Sequence, residues 1–140
     1  MEVTVKHECT GVDWKTVAQT LKSLEMAYHE PVMHKKAFEA SYVTVFLYHI
    51  KRLIGFGRAI SDGAYQAAVY DCAVVKEFQR KGFGNIIIEN ILSRIPHCNV
   101  ILYAAPGKEG FYEKHGFRKM KTGMARFTRS ESMREKGITE

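Results

Sequence analysis

Cysteine and proline are scarce in this chain, three of each in 140 residues. Cys9, Cys72 and Cys98 are odd in number and far apart, and they form no Cys-x-x-Cys pair. That argues against a disulfide framework and a cysteine-built zinc site, and it fits a reducing compartment, here expected to be cytoplasmic. No metal site is expected. Long hydrophobic runs are also missing. The best, Val43 to Tyr48, has the length of a strand and falls far short of a membrane span, so no membrane partner is expected. The start, Met1-Glu2-Val3-Thr4-Val5-Lys6, lacks the basic-then-apolar form of a secretory signal. Repeats, low-complexity segments and Pro/Gly/Ser linkers are absent. A single domain is expected over residues 1–128, followed by a charged tail, 129–140, expected to be mobile.

What is present is an ordinary globular composition, 46% hydrophobic and 26% charged. Lys and Arg outnumber Asp and Glu by 21 to 15, a net +6, which favours an anionic partner. Val3 to Lys6 alternates as a short strand. Asp13 is placed to cap a helix carrying Trp14, Val17, Leu21 and Leu24 at helical spacing, and Pro31 should end or interrupt it. A second helix is expected over Met33 to Ala40. Tyr42 to His49, Leu53 to Ser61 and Ala67 to Val75 read as an antiparallel meander. Lys51-Arg52 and Asp62-Gly63 form its turns. A strongly apolar helix runs from Gly84 through Ile86, Ile87, Ile88, Ile91 and Leu92. A strand over Asn99 to Ala104, a short helix over Glu109 to Lys114, and two final strands at Phe117 to Lys119 and Met124 to Phe127 complete the expectation.

The chemistry concentrates between Ala73 and Asn85. A buried strand feeds a basic loop with two glycines, Gln79-Arg80-Lys81-Gly82-Phe83-Gly84, and a helix starts there. The first N–H groups of a helix have no intrahelical acceptors and lie at the positive end of its dipole. Glycine lets a ligand approach that backbone closely. Such a cradle suits a pyrophosphate, with Arg80 and Lys81 at its rim. The loop alone reads equally well as a basic surface turn. It lacks the Gly-Lys-Ser/Thr of a P-loop, and Ile87 stands where a dinucleotide fingerprint needs its third glycine.

The element order and this loop together resemble the GNAT superfamily of acetyl-CoA-dependent N-acetyltransferases. Gln79-Arg80-Lys81-Gly82-Phe83-Gly84 is similar to its Gln/Arg-x-x-Gly-x-Gly/Ala motif. Phe111-Tyr112-Glu113-Lys114-His115-Gly116-Phe117 is similar to its aromatic-Tyr-x-x-x-Gly-Phe segment. The resemblance runs from Val3 to Phe127. Ala105 stands where many members carry Asn, and neither Lys76 nor Glu77 is the frequent Pro.

The resemblance implies an α/β fold: a mixed, mostly antiparallel sheet flanked by helices, with the fourth and fifth strands splayed apart. It implies that backbone groups of Ala73, Val74 and Val75 pair with the pantetheine arm of acetyl-CoA, and that the Val74 N–H polarises the acetyl carbonyl. Gln79 and the segment Arg80, Lys81, Gly82, Phe83, Gly84 and Asn85 would hold the pyrophosphate. Tyr112 matches the general acid, since a phenol with a pKa of about 10 keeps its proton at neutral pH. The alternative is a core aromatic. Asp71 could be the base, or a structural carboxylate bonded to a turn or to Arg58. The family carries a bulge at this strand, which would decide which face Asp71 takes. Tyr28, His29 and Glu30 are placed to meet the amine acceptor, or are solvated loop residues. Cys72 reads as a small buried side chain rather than a nucleophile. A homodimer is compatible with the family. A non-catalytic GNAT-like acyl-CoA-binding or protein-interaction module is the competing reading. Nucleic acid is not an expected partner, because no RNP-type, helix-turn-helix or zinc-finger pattern accompanies the charge.

Overall fold

The computed structural model describes residues 2–140. Its elements are β1 (Thr4–Lys6), α1 (Trp14–Ser23), α2 (Pro31–Glu39), β2 (Val43–His49), β3 (Arg52–Ser61), β4 (Gln66–Val74), α3 (Phe83–Ser93), β5 (Asn99–Ile101), α4 (Glu109–Glu113) and α5 (Ser130–Glu135). They pack as two compact units, one running to Ile101 and the other spanning Leu102–Glu140.

In the first unit the five strands lie in sequence order. β1 to β4 are antiparallel and β5 runs parallel to β4. Alternation along β2 and β3 sends side chains to two apolar faces. On one face α1 and α2 cover Phe46, Leu53, Phe56 and Ala73, with Val17, Leu21 and Phe38 supplied by the helices. Phe38 is the hub: its ring lies 5.5 Å from Trp14, 5.6 Å from Phe46 and 6.0 Å from Phe56. On the other face α3 buries Ile87, Ile88 and Ile91. Its close approach depends on Gly57 of β3, where a Cβ would stand 2.8 Å from Ile87 Cγ2 and 2.9 Å from Cys72 Sγ.

Local chemistry explains the ends. Asp13 caps α1 by accepting the N–H groups of Lys15 and Thr16 at 3.1 and 3.4 Å. α1 stops at Ser23, well before Pro31, and Pro31 opens α2 instead of closing α1. A first-turn proline loses nothing, because that N–H has no intrahelical acceptor anyway. The β2–β3 turn is centred on Ile50 and Lys51, with φ of 46° and 64°, so Arg52 already belongs to β3. The β3–β4 turn is wider than a two-residue hairpin. Asp62 Oδ1 accepts the N–H groups of Ala64, Tyr65 and Gln66 at 2.8, 2.9 and 3.1 Å.

The second unit departs more from expectation. β5 stops at Ile101 rather than Ala104, and among the described residues no strand follows it. The Phe117 N–H, expected in a strand, closes the end of α4 by donating to the Tyr112 carbonyl at 3.2 Å. The run Arg118-Lys119-Met120-Lys121 places like charges side by side, and it stays exposed. The charged tail carries a short helix, α5, with Arg134 3.4 Å from Glu131.

Candidate active site

The sheet opens along β4. Its pairing with β5 covers only Gln66↔Asn99 to Ala68↔Ile101. From Val69 to Val74, no strand lies on that side among the described residues. The Val75 N–H points the other way, to the Ile54 carbonyl of β3 at 2.8 Å. Successive N–H groups of a strand point to opposite edges, so the Val74 N–H faces the open edge. The Val74 carbonyl does the same and accepts Gln79 Nε2 at 3.0 Å. Of Ala73, Val74 and Val75, it is Val74 whose N–H faces the edge that no strand covers, which is what an extended ligand arm needs.

A bulge interrupts β4. Phe56 pairs with Ala73 and Arg58 with Tyr70, so Asp71 and Cys72 together oppose Gly57. Asp71 takes a left-handed φ of 57°. Its carboxylate receives Arg58 Nε at 2.7 Å, and both side chains are largely covered, at 23% and 17% exposure. Arg58 also donates to Ser41 Oγ at 3.3 Å and lies 5.6 Å over the Phe38 ring, which puts the pair on the α2 face. Val74 lies beside Gly55 on the α3 face, so the bulge does not bring Asp71 and Val74 to one side. Burial, then the charge of Asp71, pushes the Cys72 thiol up to about 12. At neutral pH it is not a thiolate and cannot serve as a nucleophile.

The loop after β4 passes through one tight turn, Lys76–Phe78, and is tied to the β2–β3 hairpin. Arg52 pairs with Glu77 at 2.8 Å and lies 5.3 Å over the Phe78 ring. The Arg52 hydrogen bond holds the Glu77 carboxyl below its ordinary value. Two left-handed residues follow, Arg80 at φ 62° and Gly82 at φ 87°. Gly82 is the N-cap of α3 and offers no side chain to its first amides, and a Cβ there would meet nothing within 4 Å. Open space in front of the Phe83 and Gly84 end of a helix, with Arg80, Lys81 and Asn85 exposed around it, fits an anionic phosphate group.

Tyr28, His29 and Glu30 lie in the link between α1 and α2, all exposed. Lys22 Nζ sits 5.6 Å over the Tyr28 ring. The His29 N–H donates to Nε2 of His34 at 2.9 Å. His34, on α2, escaped the sequence reading. Its i,i+4 spacing to Phe38 on the expected helix was the available signal. His34 interacts with Arg58 and Asp71, and Arg58 lies over Phe38 on the helix-covered face of the first unit. Tyr112 belongs to the second unit, on α4, half-buried, with its ring 5.1 Å from Phe111 and 5.9 Å from Phe117.

The model of the acetyltransferase (GNAT) domain family matches residues 13–127, nearly the whole chain. The chain belongs to this family. It is 28% identical over 123 residues to an uncharacterised N-acetyltransferase of Pyropia yezoensis, covering 83% of this chain and 64% of that protein. It is 35% identical over 121 residues to a protein of Oryza sativa subsp. japonica named chloroplastic serotonin N-acetyltransferase 2, covering 81% of this chain and 60% of that one. The GNAT domain therefore spans less than two thirds of the length of these relatives. Among solved structures it resembles a probable acetyltransferase of methicillin-resistant Staphylococcus aureus. The TM-score is 0.81 at 27% identity, covering 90% of this chain and 99% of that one. Among the described residues no helix is long and apolar enough to cross a membrane.

Proposed function

We propose that this domain moves an acetyl group from acetyl-CoA to a primary amine by direct attack. The observation that carries the reading is the unpaired edge of β4 at Val74, continuing into the glycine-capped start of α3. Val74 offers a backbone N–H to the acetyl oxygen and stabilises the charge that develops on it. The turn at Gly82 and the first amides of α3 hold the pyrophosphate, with Arg80 and Lys81 adding attraction. The neutral amine nitrogen bonds to the thioester carbon, the carbon–sulfur bond breaks, and the thiolate takes a proton. Motif position and phenol chemistry assign that proton to Tyr112. Asp71 acts by holding the bulge through Arg58, and the proton lost by the amine leaves through water. The high thiol value of Cys72 speaks against an acetyl-cysteine route.

The acceptor side is assigned to Tyr28, His29 and Glu30. Glu30 attracts a cationic amine. Tyr28, Val32 and Met33, exposed at 49%, 70% and 52%, suit an apolar body behind it. The rice relative's name points to the same class, so tryptamine leads the screen. A homodimer and a cytoplasmic location remain proposals. The free cysteines fit a reducing compartment, and sizing chromatography with fractionation checks both. The decisive experiment is thiol release from acetyl-CoA in the presence of tryptamine, spermidine, an aminoglycoside, an amino acid and a peptide. Release above background hydrolysis with one class is expected. Tight acetyl-CoA binding with no release from any class would favour a non-catalytic module.

A further inference from the structure

The loop assigned to the acceptor is held by a buried histidine of α2. Among the described residues, His34 is the only ionisable side chain in the buried set, at 3% exposure. Its Nε2 accepts the His29 N–H at 2.9 Å, and the two rings stand 5.6 Å apart. A ring nitrogen that accepts carries no proton, so the neutral ring keeps its proton on Nδ1. We propose that His34 is a positioning residue: neutral, it ties the Tyr28–Glu30 loop to α2, and protonated, it releases that loop. The consequence for catalysis rests on the reading of this loop as the acceptor side.

A proton on Nε2 turns the acceptor into a donor facing the His29 N–H. Two donors cannot share a bond, and a buried cation without a partner is costly. The charged groups around His34 do not rescue it. From the link comes the His29 ring, from β3 the Arg58 cation and from β4 the Asp71 anion. Asp71 is already engaged by Arg58 at 2.7 Å. On its own helix Lys35 and Lys36 are exposed, and Glu30 begins the helix with no side-chain cap bond. Burial is the main cause that lowers His34 below the ordinary histidine value. The Asp71 charge and a hydrogen bond with the His29 backbone oppose it, while the His29 and Arg58 charges add to it. A folded value below the unfolded one means that the unfolded chain takes its proton first as pH falls. The contact therefore contributes in full above about pH 6.5 and is lost as pH falls through the folded value.

Amide exchange, read as protection factors, tests the tie directly. In the wild-type chain the His29 amide should lose about tenfold in protection between pH 7.5 and pH 5, the size expected for one hydrogen bond. The amides of β2 and β3 should stay protected. His34→Ala should leave His29 unprotected at both pH values. His34→Gln, whose amide oxygen can accept the same N–H without titrating, should protect it at both. A flat wild-type profile, full protection in His34→Ala, or a wild-type pH response in His34→Gln would overturn the proposal. Kinetics with tryptamine then separate the two readings. His34→Ala should raise the KM for tryptamine but not for acetyl-CoA, with rescue by His34→Gln. If Tyr28→Ala and Glu30→Gln leave the tryptamine KM unchanged while the exchange behaves as expected, the acceptor assignment fails and the tie stands.

Discussion

Asp71 is bound to an arginine and bent into a left-handed backbone, and both facts bear on what it can do. A carboxylate that fixes a bulge resists being displaced toward substrate. Asp71→Asn is expected to lower stability by about 1.5–3 kcal/mol, the range for a hydrogen bond to a charged partner. It should leave kcat within about tenfold of wild type, since no acid–base contribution is removed. Thermal unfolding and steady-state rates check this, and a larger kcat loss with a vanished acid limb would make Asp71 the base. Tyr112→Phe asks the opposite question. It keeps the ring against Phe111 and Phe117 and removes only the hydroxyl. A kcat loss of about a hundredfold is expected, at the low end of general acid catalysis because a thiolate already leaves well. The alkaline limb of the pH–rate profile should move with it, and an unchanged profile would make Tyr112 a packing residue.

The elements carry two further tests. α3 lies close on β3 because Gly57 has no side chain. Gly57→Ala should overpack against Ile87 and Cys72 and cost about 1–3 kcal/mol, read from denaturant midpoints. The start of α3 is different, for Gly82 faces open space and its constraint is the backbone angle. Gly82→Val should strain the left-handed turn and crowd the place assigned to the pyrophosphate. Calorimetry should then show a sharp fall in acetyl-CoA affinity in a chain that still folds, and unchanged affinity would remove the cofactor assignment. The ends of elements were less legible than their centres. Asp13 announced itself as a cap because a short acceptor side chain before an apolar helix has few other uses. Pro31 was ambiguous, since a proline stops one helix as readily as it starts the next. The extent of β5 and the final strands depended on pairing partners, which no local pattern contains.

At the scale of the whole molecule the net charge of +6 should act through space more than through any single contact. Arg80→Ala combined with Lys81→Ala should raise the KM for acetyl-CoA and flatten its dependence on salt, with kcat changing less. A collapse of kcat at constant KM would mean that the two cations act in the chemical step.

The sequence by itself determined the family, the order of most elements and the glycine turn at the head of α3. Those features are written in local periodicity and in backbone freedom, which neighbouring residues set among themselves. It also marked Cys72 as a small side chain rather than a nucleophile, because no basic partner accompanies it. Tertiary structure alone decided that Asp71 meets Arg58, that the bulge leaves Asp71 and Val74 on opposite faces, and that His34 holds the His29 amide. The first two are products of strand register: a one-residue slip exchanges the faces of every side chain, and register is settled by cross-strand packing. The third joins a linker to a helix that begins after it. The ring that accepts its hydrogen bond is buried in the fold.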